Sequence, residues 1–161
     1  MMEHTVRPLR VYVDTSVIGG CFDEEFKEDS LRLMHSVRNG EVILLISAVV
    51  ARELGPAPRR VVDLLQTLPN GAVIDVPLTE EVFALRDAYI AAGILDPKWS
   101  DDATHVAAAT VARADAIVSW NFQHIVRLDK MRAFNQVNLL NGYGMLTIIS
   151  PKEVRKGENE V

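Results

Sequence analysis

Apolar runs and helix-like stretches alternate along this chain. The apolar runs, which predict strands, lie at 9–13, 42–46, 72–76, 116–119 and 145–149. The run at 42–46 is continuous, as expected of a parallel strand that helices cover on both faces. Between them, spaced apolar residues and stop signals predict helices over 24–38, 48–54, 58–68, 80–92, 101–112 and 128–140. The alternation predicts one α/β domain with a mostly parallel central sheet of about four to five strands flanked by helices.

Local signals place some of the helix ends. Ser47 and Thr79 are predicted N-caps, because their hydroxyls can accept a hydrogen bond from the first helical turn. Gly93 is a predicted helix end. We expect the domain to cover residues 1–150, followed by a charged tail over 151–161 that frays.

Four polar positions fall where this architecture would bring them together. Asp14 follows the first apolar run, Glu53 lies early in the helix after the second, Asp102 opens the alanine-rich helix, and Asn121 follows the fourth run. Helices of βαβ units run antiparallel to their strands, so helix starts lie at the carboxyl ends of the strands. Ligands of open α/β sheets bind at that edge. The pattern therefore predicts that all four side chains share one site.

Each acidic position also has a structural interpretation. Asp14 could end a strand in an Asx turn, and Glu53 could be an exposed helix residue. Asp101 and Asp102 are both placed to complement a helix dipole, worth about 0.3–1 kcal/mol each. Asp102 is favoured over Asp101 for the site because the apolar helix face that would pack on the sheet follows it directly.

Three carboxylates at one site require a counterion. Two unit charges 4 Å apart repel by about 4 kcal/mol at an effective dielectric constant of 20. A divalent cation would offset this repulsion, so the sequence predicts a metal-dependent hydrolase. We expect Asp14, Asp102 and Glu53 to be ligands of Mg²⁺ or Mn²⁺, and Asn121 to orient the water around the ion.

The bulk properties narrow the class of protein. The 161 residues fit a single domain, and the net charge of −5 argues mildly against a general nucleic-acid binder. Basic residues still cluster locally, at 52, 59 and 60 and at 127, 130 and 132, where they would meet phosphates or form solvated helix faces. The sole cysteine, Cys21, excludes an internal disulfide. No apolar run is long enough to span a bilayer and residues 1–10 lack a signal-peptide core, so we expect a cytoplasmic protein.

Four segments resemble the motifs of the PIN-domain family, in order and spacing. They are VYVDTSVI at 11–18, SAVVAREL at 47–54, DATHVAAA at 102–109 and ADAIVSWNF at 114–122. The resemblance implies a single PIN-like domain that acts as an Mg²⁺- or Mn²⁺-dependent endoribonuclease, similar to VapC-type toxins. It further implies a homodimer, a cognate antitoxin partner, and RNA products with a 5′-phosphate and a 3′-hydroxyl.

The resemblance also assigns the catalytic residues. Asp14, Glu53 and Asp102 match the acidic metal ligands, whereas Asn121 stands at a position that is often acidic in the family. An amide contributes no negative charge, so we expect one well-occupied metal rather than two. Asp115 cannot replace it, because four or five strand residues at about 3.3 Å each separate it from the active edge.

Neighbouring polar and aromatic residues are candidate substrate contacts. Thr15 and Ser16 would contact phosphate or metal-bound water, or cap the following short helix, and His124 would contact phosphate. Trp120 would stack an unpaired base or pack in the core. His105 would ligate metal or pack.

Two other function classes remain open. A PIN-like module that binds RNA or protein, with weakened or absent catalysis, fits Asn121 and the acidic net charge. A phosphatase with Asp14 as its nucleophile would need an acid two residues later, and Ser16 stands there.

Overall fold

The computed structural model describes residues 7–56 and 58–154, and at its centre is a five-stranded sheet. The strands are β1 (Leu9–Val13), β2 (Val42–Ser47), β3 (Val73–Val76), β4 (Ala116–Val118) and β5 (Thr147–Ile149). Their order across the sheet is β3-β2-β1-β4-β5, and every neighbouring pair is parallel. The predicted α/β class is therefore confirmed, with the sheet parallel throughout.

Seven helices flank the sheet in the described part of the chain. They are α1 (Thr15–Gly20), α2 (Lys27–Arg38), α3 (Ala48–Leu54), α4 (Arg59–Gln66), α5 (Glu80–Ala91), α6 (Ser100–Val111) and α7 (Leu128–Leu140), with 3-10 turns at Pro97–Trp99 and Pro151–Glu153. The helix predicted from residue 24 begins at Lys27, because Asp23 organises a turn through hydrogen bonds with Glu25 and Phe26. The strand predicted from residue 145 begins at Thr147.

Capping interactions fix the helix ends that the sequence predicted. The Ser47 hydroxyl accepts a hydrogen bond from the Val49 amide at 3.3 Å. The Thr79 hydroxyl accepts one from the Val82 amide, also at 3.3 Å. At Gly93 the φ angle is +78°, and the two amides of a Schellman motif close α5 there. The predicted caps are confirmed.

The core lies in two layers, one on each face of the sheet. Alternate residues of β1 divide between them: Tyr12 faces the layer of α5, α6 and α7, whereas Val11 and Val13 face the layer of α1 and α2. Residues 103–110 of α6 are all buried, and most are alanine or threonine, whose small side chains let the helix approach the sheet closely. Because α6 runs antiparallel to the strands, its start lies at their carboxyl ends.

The strand order reverses beside β1. From β1 the chain proceeds outward through β2 and β3 on one side, and β4 and β5 lie on the other side. A crevice forms at the carboxyl ends of the strands where an open sheet changes direction in this way. Asp14 follows β1 and Ser119 follows β4, so both lie at this point.

The first residues of the predicted tail form regular structure. Pro151–Glu153, expected to begin the frayed tail, form a turn with a Ser150–Glu153 capping box, and the Pro151 carbonyl accepts a hydrogen bond from Arg32 at 3.1 Å. Residues 155–161 lie outside the described residues. Over residues 7–56 and 58–154, no helix combines the length and apolar character needed to cross a bilayer.

Candidate active site

Asp14 lies at the centre of the predicted site and is almost fully enclosed. Its side chain follows β1 and the residue is 4% exposed. One carboxylate oxygen accepts a hydrogen bond from the Ser16 hydroxyl and the other from the Ser119 hydroxyl, both at 2.6 Å. Burial raises the pKa of Asp14, and the charge of Asp102 raises it further, while His105 and the two hydroxyls oppose the rise. Asp14 is thus a buried carboxyl group whose two oxygens each accept a hydrogen bond from a serine hydroxyl.

Glu53 is held by a chain of hydrogen bonds that reaches into the core. Its Oε1 lies 2.6 Å from His105 Nε2 and accepts a hydrogen bond from Thr15 at 2.7 Å. His105 Nδ1 lies 2.7 Å from the Tyr12 hydroxyl, which lies 2.8 Å from the Ser47 hydroxyl. Burial raises the pKa of Glu53, but the His105 and Thr15 hydrogen bonds lower it more, so it falls below its usual value.

The chain of hydrogen bonds places a proton on His105 Nε2. Because the pKa of Glu53 is lowered, its carboxylate is ionised and can only accept a hydrogen bond. Nε2 then carries the proton and donates to the Glu53 carboxylate. His105 is 1% exposed, so it orients Glu53. Of the two sequence interpretations of His105, the structure favours packing.

Asp102 is paired with His124. Asp102 lies in the first turn of α6, and its Oδ2 is 2.8 Å from His124 Nδ1. The backbone amide of His124 donates to the Asn121 side-chain oxygen at 2.9 Å. The Trp99 ring packs on the imidazole, with the two ring centroids 4.4 Å apart. Asn121 therefore holds the loop that presents His124 to Asp102, a contact that the sequence did not predict.

Three of the four predicted residues line one open cavity of about 430 Å³. The lining side chains are Glu53, Lys98, Trp99, Asp101, Asp102, Asn121, Gln123 and His124. Asp14 does not line it, but lies close enough for the charges of Asp102 and His105 to act on it. The structure thus brings the predicted residues to one edge, with Asp14 buried and the others facing the opening.

The residues fit a divalent cation in chemical type. Three carboxylates supply the hard oxygen donors that Mg²⁺ and Mn²⁺ prefer, and a cation would relieve the raised pKa of Asp14. In the geometry seen here, each carboxylate instead accepts hydrogen bonds from neighbouring side chains. Within residues 7–56 and 58–154, no group of three or more His, Cys, Asp or Glu side chains has the spacing to hold a metal ion. Metal binding stays a prediction.

The other candidate contacts have distinct positions. Thr15 and Ser16 donate to Glu53 and Asp14, so both orient site carboxylates. Trp120 is 6% exposed, donates to the Ser30 hydroxyl at 2.8 Å and stacks on Phe26. This enclosure favours core packing over base stacking for Trp120.

Asp115 lies at the opposite edge of the sheet, as predicted. Its carboxylate accepts a hydrogen bond from the Arg10 backbone amide at 2.8 Å, near the amino ends of β1 and β4. It cannot supply a fourth acid to the site.

Most of the predicted basic clusters are engaged locally. Arg52 pairs with Asp101, Arg127 with Asp129, and Lys130 donates to the Ile94 carbonyl. These contacts support the interpretation of solvated surface for both clusters.

Sequence reasoning missed several residues of the site. Ser119 and Tyr12 lie within apolar strand runs, where a polar atom at the carboxyl end was the available signal. Trp99 and Lys98 precede Asp102 by three and four residues in the turn that leads into α6, and this proximity was the signal for them.

The backbone is similar to that of a solved structure of FitAB bound to an IR36 DNA fragment. The TM-score is 0.58 and the sequence identity is 13%, and the match covers 92% of this chain and 99% of that chain. No protein-family model matches the chain. No curated protein matches it either. At this identity the likeness shows the fold alone, and it agrees with the PIN-like α/β class that the sequence motifs predicted.

Proposed function

We propose that this protein is an Mg²⁺- or Mn²⁺-dependent endoribonuclease. The observation that supports the proposal best is the position of Asp14, Glu53 and Asp102, which come from three distant segments and lie at the carboxyl-end edge of the sheet. Each carboxylate has its own donor, from Ser119, His105 or His124. Carboxylates with perturbed pKa values cluster at functional sites, and the pKa values of Asp14 and Glu53 are both shifted.

In this proposal Asp14, Asp102 and Glu53 hold the cation. When bound, the metal would activate water and stabilise charge on the phosphoryl oxygens. The serine hydroxyls fix the orientation of Asp14, and His105 keeps Glu53 ionised by donating its Nε2 proton. His124 shares a hydrogen bond with Asp102 and faces the cavity, where substrate would lie.

The decisive experiment is an RNA cleavage assay with the purified protein. We expect cleavage with Mg²⁺ or Mn²⁺, none with EDTA, and products with a 5′-phosphate and a 3′-hydroxyl. Asp14→Asn and Asp102→Asn should abolish cleavage while circular dichroism stays native. Asp101→Asn is the matched control, because it removes the same charge at the residue next to Asp102. Asp101 forms a half-exposed ion pair with Arg52 instead.

Two results would contradict this proposal. Cleavage that persists undiminished in both the Asp14 and Asp102 variants would remove these residues from the chemistry. Calorimetry that detects no uptake of manganese by the wild-type protein would remove the metal.

A PIN-like binding module without catalysis is the second candidate. Asn121 in place of an acid, the net charge of −5 and the hydrogen-bonded carboxylates favour it. A binding module should bind RNA or protein without any metal. It should not cleave RNA with any metal ion. A phosphatase is less well supported, because both Asp14 oxygens accept hydrogen bonds and Ser16 stands where the second acid belongs.

The proposed partners include a second copy of the chain and an antitoxin. Leu139, Leu140 and Met145 are more than half exposed, and Leu139 and Met145 border a groove of about 780 Å³ beside α7 and β5. Exposed apolar side chains of this kind favour a protein contact. Light scattering should give a dimer mass that Leu140→Glu reduces to that of a monomer. The toxin and antitoxin roles rest on the motif resemblance, and a small gene adjacent to this one would support them. The proposed cytoplasmic location rests on the sequence, which has no apolar run long enough to span a bilayer and no signal-peptide core in residues 1–10.

A further inference from the structure

The two tryptophans of the chain occupy opposite kinds of environment. Trp120 is enclosed between Phe26 and Ser30, whereas Trp99 is 40% exposed at the edge of the acidic cavity. Trp99 ends the turn Pro97–Trp99, whose conformation Asp96 fixes by accepting a hydrogen bond from the Lys98 amide at 3.0 Å. The indole is therefore an exposed ring on an ordered backbone, three residues before Asp102.

The surroundings of Trp99 suit a flat ligand with a negative charge beside it. Its ring packs on the His124 imidazole at 4.4 Å between centroids, and His124 is hydrogen-bonded to Asp102. The Lys98 ammonium lies 5.4 Å from the indole centroid. Since a lysine side chain is flexible, the ammonium can leave the ring for a phosphate nearby.

Without a bound cation, the charge of the cavity favours an aromatic contact over a purely ionic one. The cavity lining includes Glu53, Asp101 and Asp102, and Lys98 is the sole Lys or Arg among the lining residues. A polyanion would gain little Coulombic attraction from such a surface. Base stacking on an aromatic ring is an attraction that depends on neither the charge nor the identity of the base.

We propose that Trp99 stacks an unpaired base of a single-stranded RNA substrate, with Lys98 contacting the adjacent phosphate. The inference rests on the proposed nuclease function, for which it specifies the class of substrate. A single strand is required, because a base within a duplex has both faces covered by its neighbours. Stacking at Trp99 would hold the strand beside Asp102, since His124 contacts both residues.

Intrinsic fluorescence tests the contact without any cleavage. A short single-stranded oligoribonucleotide is titrated in EDTA into the wild-type protein and into Trp99→Phe, in which Trp120 is the remaining indole. We expect the RNA to quench the wild-type emission and to leave the Trp120 emission of the variant unchanged. The same sequence as a duplex should quench little.

Binding measured by fluorescence anisotropy of a labelled strand gives the magnitude. Loss of one base–aromatic stack should weaken binding of Trp99→Ala about 5- to 150-fold. Trp99→Phe should retain most of the affinity, because a smaller ring still stacks. Lys98→Ala should reduce the salt dependence of binding.

Specific results would overturn the inference. Equal quenching by single strand and duplex, or unchanged affinity of Trp99→Ala, would exclude base stacking. Lower cleavage by Trp99→Ala with unchanged RNA affinity would instead make Trp99 a support for His124. If the wild-type protein binds RNA through Trp99 but never cleaves it, the nuclease proposal fails and this one stands. If Trp99→Ala cleaves RNA with the wild-type KM, the stacking inference fails and the nuclease proposal stands.

Discussion

Ser119→Ala removes one oxygen atom, but it should lower the free energy of unfolding more than the loss of a neutral hydrogen bond would. The Ser119 side chain is fully buried, donates to Asp14 at 2.6 Å and accepts from the Asn121 amide at 2.9 Å. A hydrogen bond to a charged group contributes about 1.5–3 kcal/mol, against about 0.5–1.5 kcal/mol for a neutral one. Removing this donor leaves the Asp14 carboxylate with Ser16 as its remaining hydroxyl donor. We expect the free energy of unfolding to fall by about 2–3 kcal/mol.

A double-mutant cycle separates the charge from the packing. In an Asp14→Asn background the partner of Ser119 is neutral, so the same substitution should cost about 1 kcal/mol. The coupling free energy between the two positions should therefore be about 1–2 kcal/mol. Urea unfolding followed by circular dichroism in EDTA measures all four proteins.

The control is a serine whose hydroxyl bonds to a backbone carbonyl. Ser36 donates to the Arg32 carbonyl at 3.3 Å within α2, away from the site. Ser36→Ala should show no coupling with Asp14→Asn. If Ser119→Ala costs the same in both backgrounds, the hydroxyl does not stabilise the Asp14 charge and the electrostatic account of the site is refuted.

Three further predictions concern the site and the core behind it. Burial raises the pKa of Asp14, so the folded protein holds a proton there that the unfolded chain has lost. The free energy of unfolding of the metal-free protein should therefore fall as the pH rises from about 3.9, the ordinary carboxyl value, through the raised pKa of the folded state. Urea unfolding at a series of pH values should show this fall, and Asp14→Asn should remove it. Gly20→Ala should destabilise by about 1–3 kcal/mol in thermal unfolding, because the added Cβ would lie 2.9 Å from the Trp120 indole nitrogen, whereas Gly19→Ala, with nothing within 4 Å, should not destabilise. Cys21, whose pKa burial raises to about 11, should resist iodoacetamide in the folded protein and react readily in urea; rapid labelling without urea would contradict its burial.

The sequence was sufficient to predict the α/β class, the mostly parallel sheet and the common edge of the site, but not the order of the strands. The continuous apolar run at 42–46 predicts a strand covered on both faces, and the helices between successive runs predict parallel crossovers. From that point the positions of Asp14, Glu53 and Asp102 depend on chain direction alone. No knowledge of side-chain packing was needed, so this part of the prediction was robust.

The hydrogen-bond partners of the carboxylates could not be predicted in the same way. Tyr12 and His105 are 93 residues apart, and Asp14 and Ser119 are 105 apart. Which polar atoms meet depends on the strand register between β1 and β4 and on how closely α6 approaches the sheet. A tyrosine in an apolar strand predicts a core ring, and its hydroxyl partner follows only from the packed structure.

Side-chain alternation and chain direction explain why Trp120 lies in the core and Trp99 at the edge of the site. Trp120 is adjacent to Asn121 in sequence, but side chains at the end of a strand alternate in direction. Ser119 points to Asp14, so Trp120 points to the opposite layer, where it meets Phe26. Trp99 precedes a helix whose first turn contains Asp102, and residues that lead into such a helix lie at the same edge as its start. The chain direction that located Asp102 therefore also locates Trp99, and an aromatic residue in the turn before a site helix is the better candidate for substrate contact than one that follows a strand.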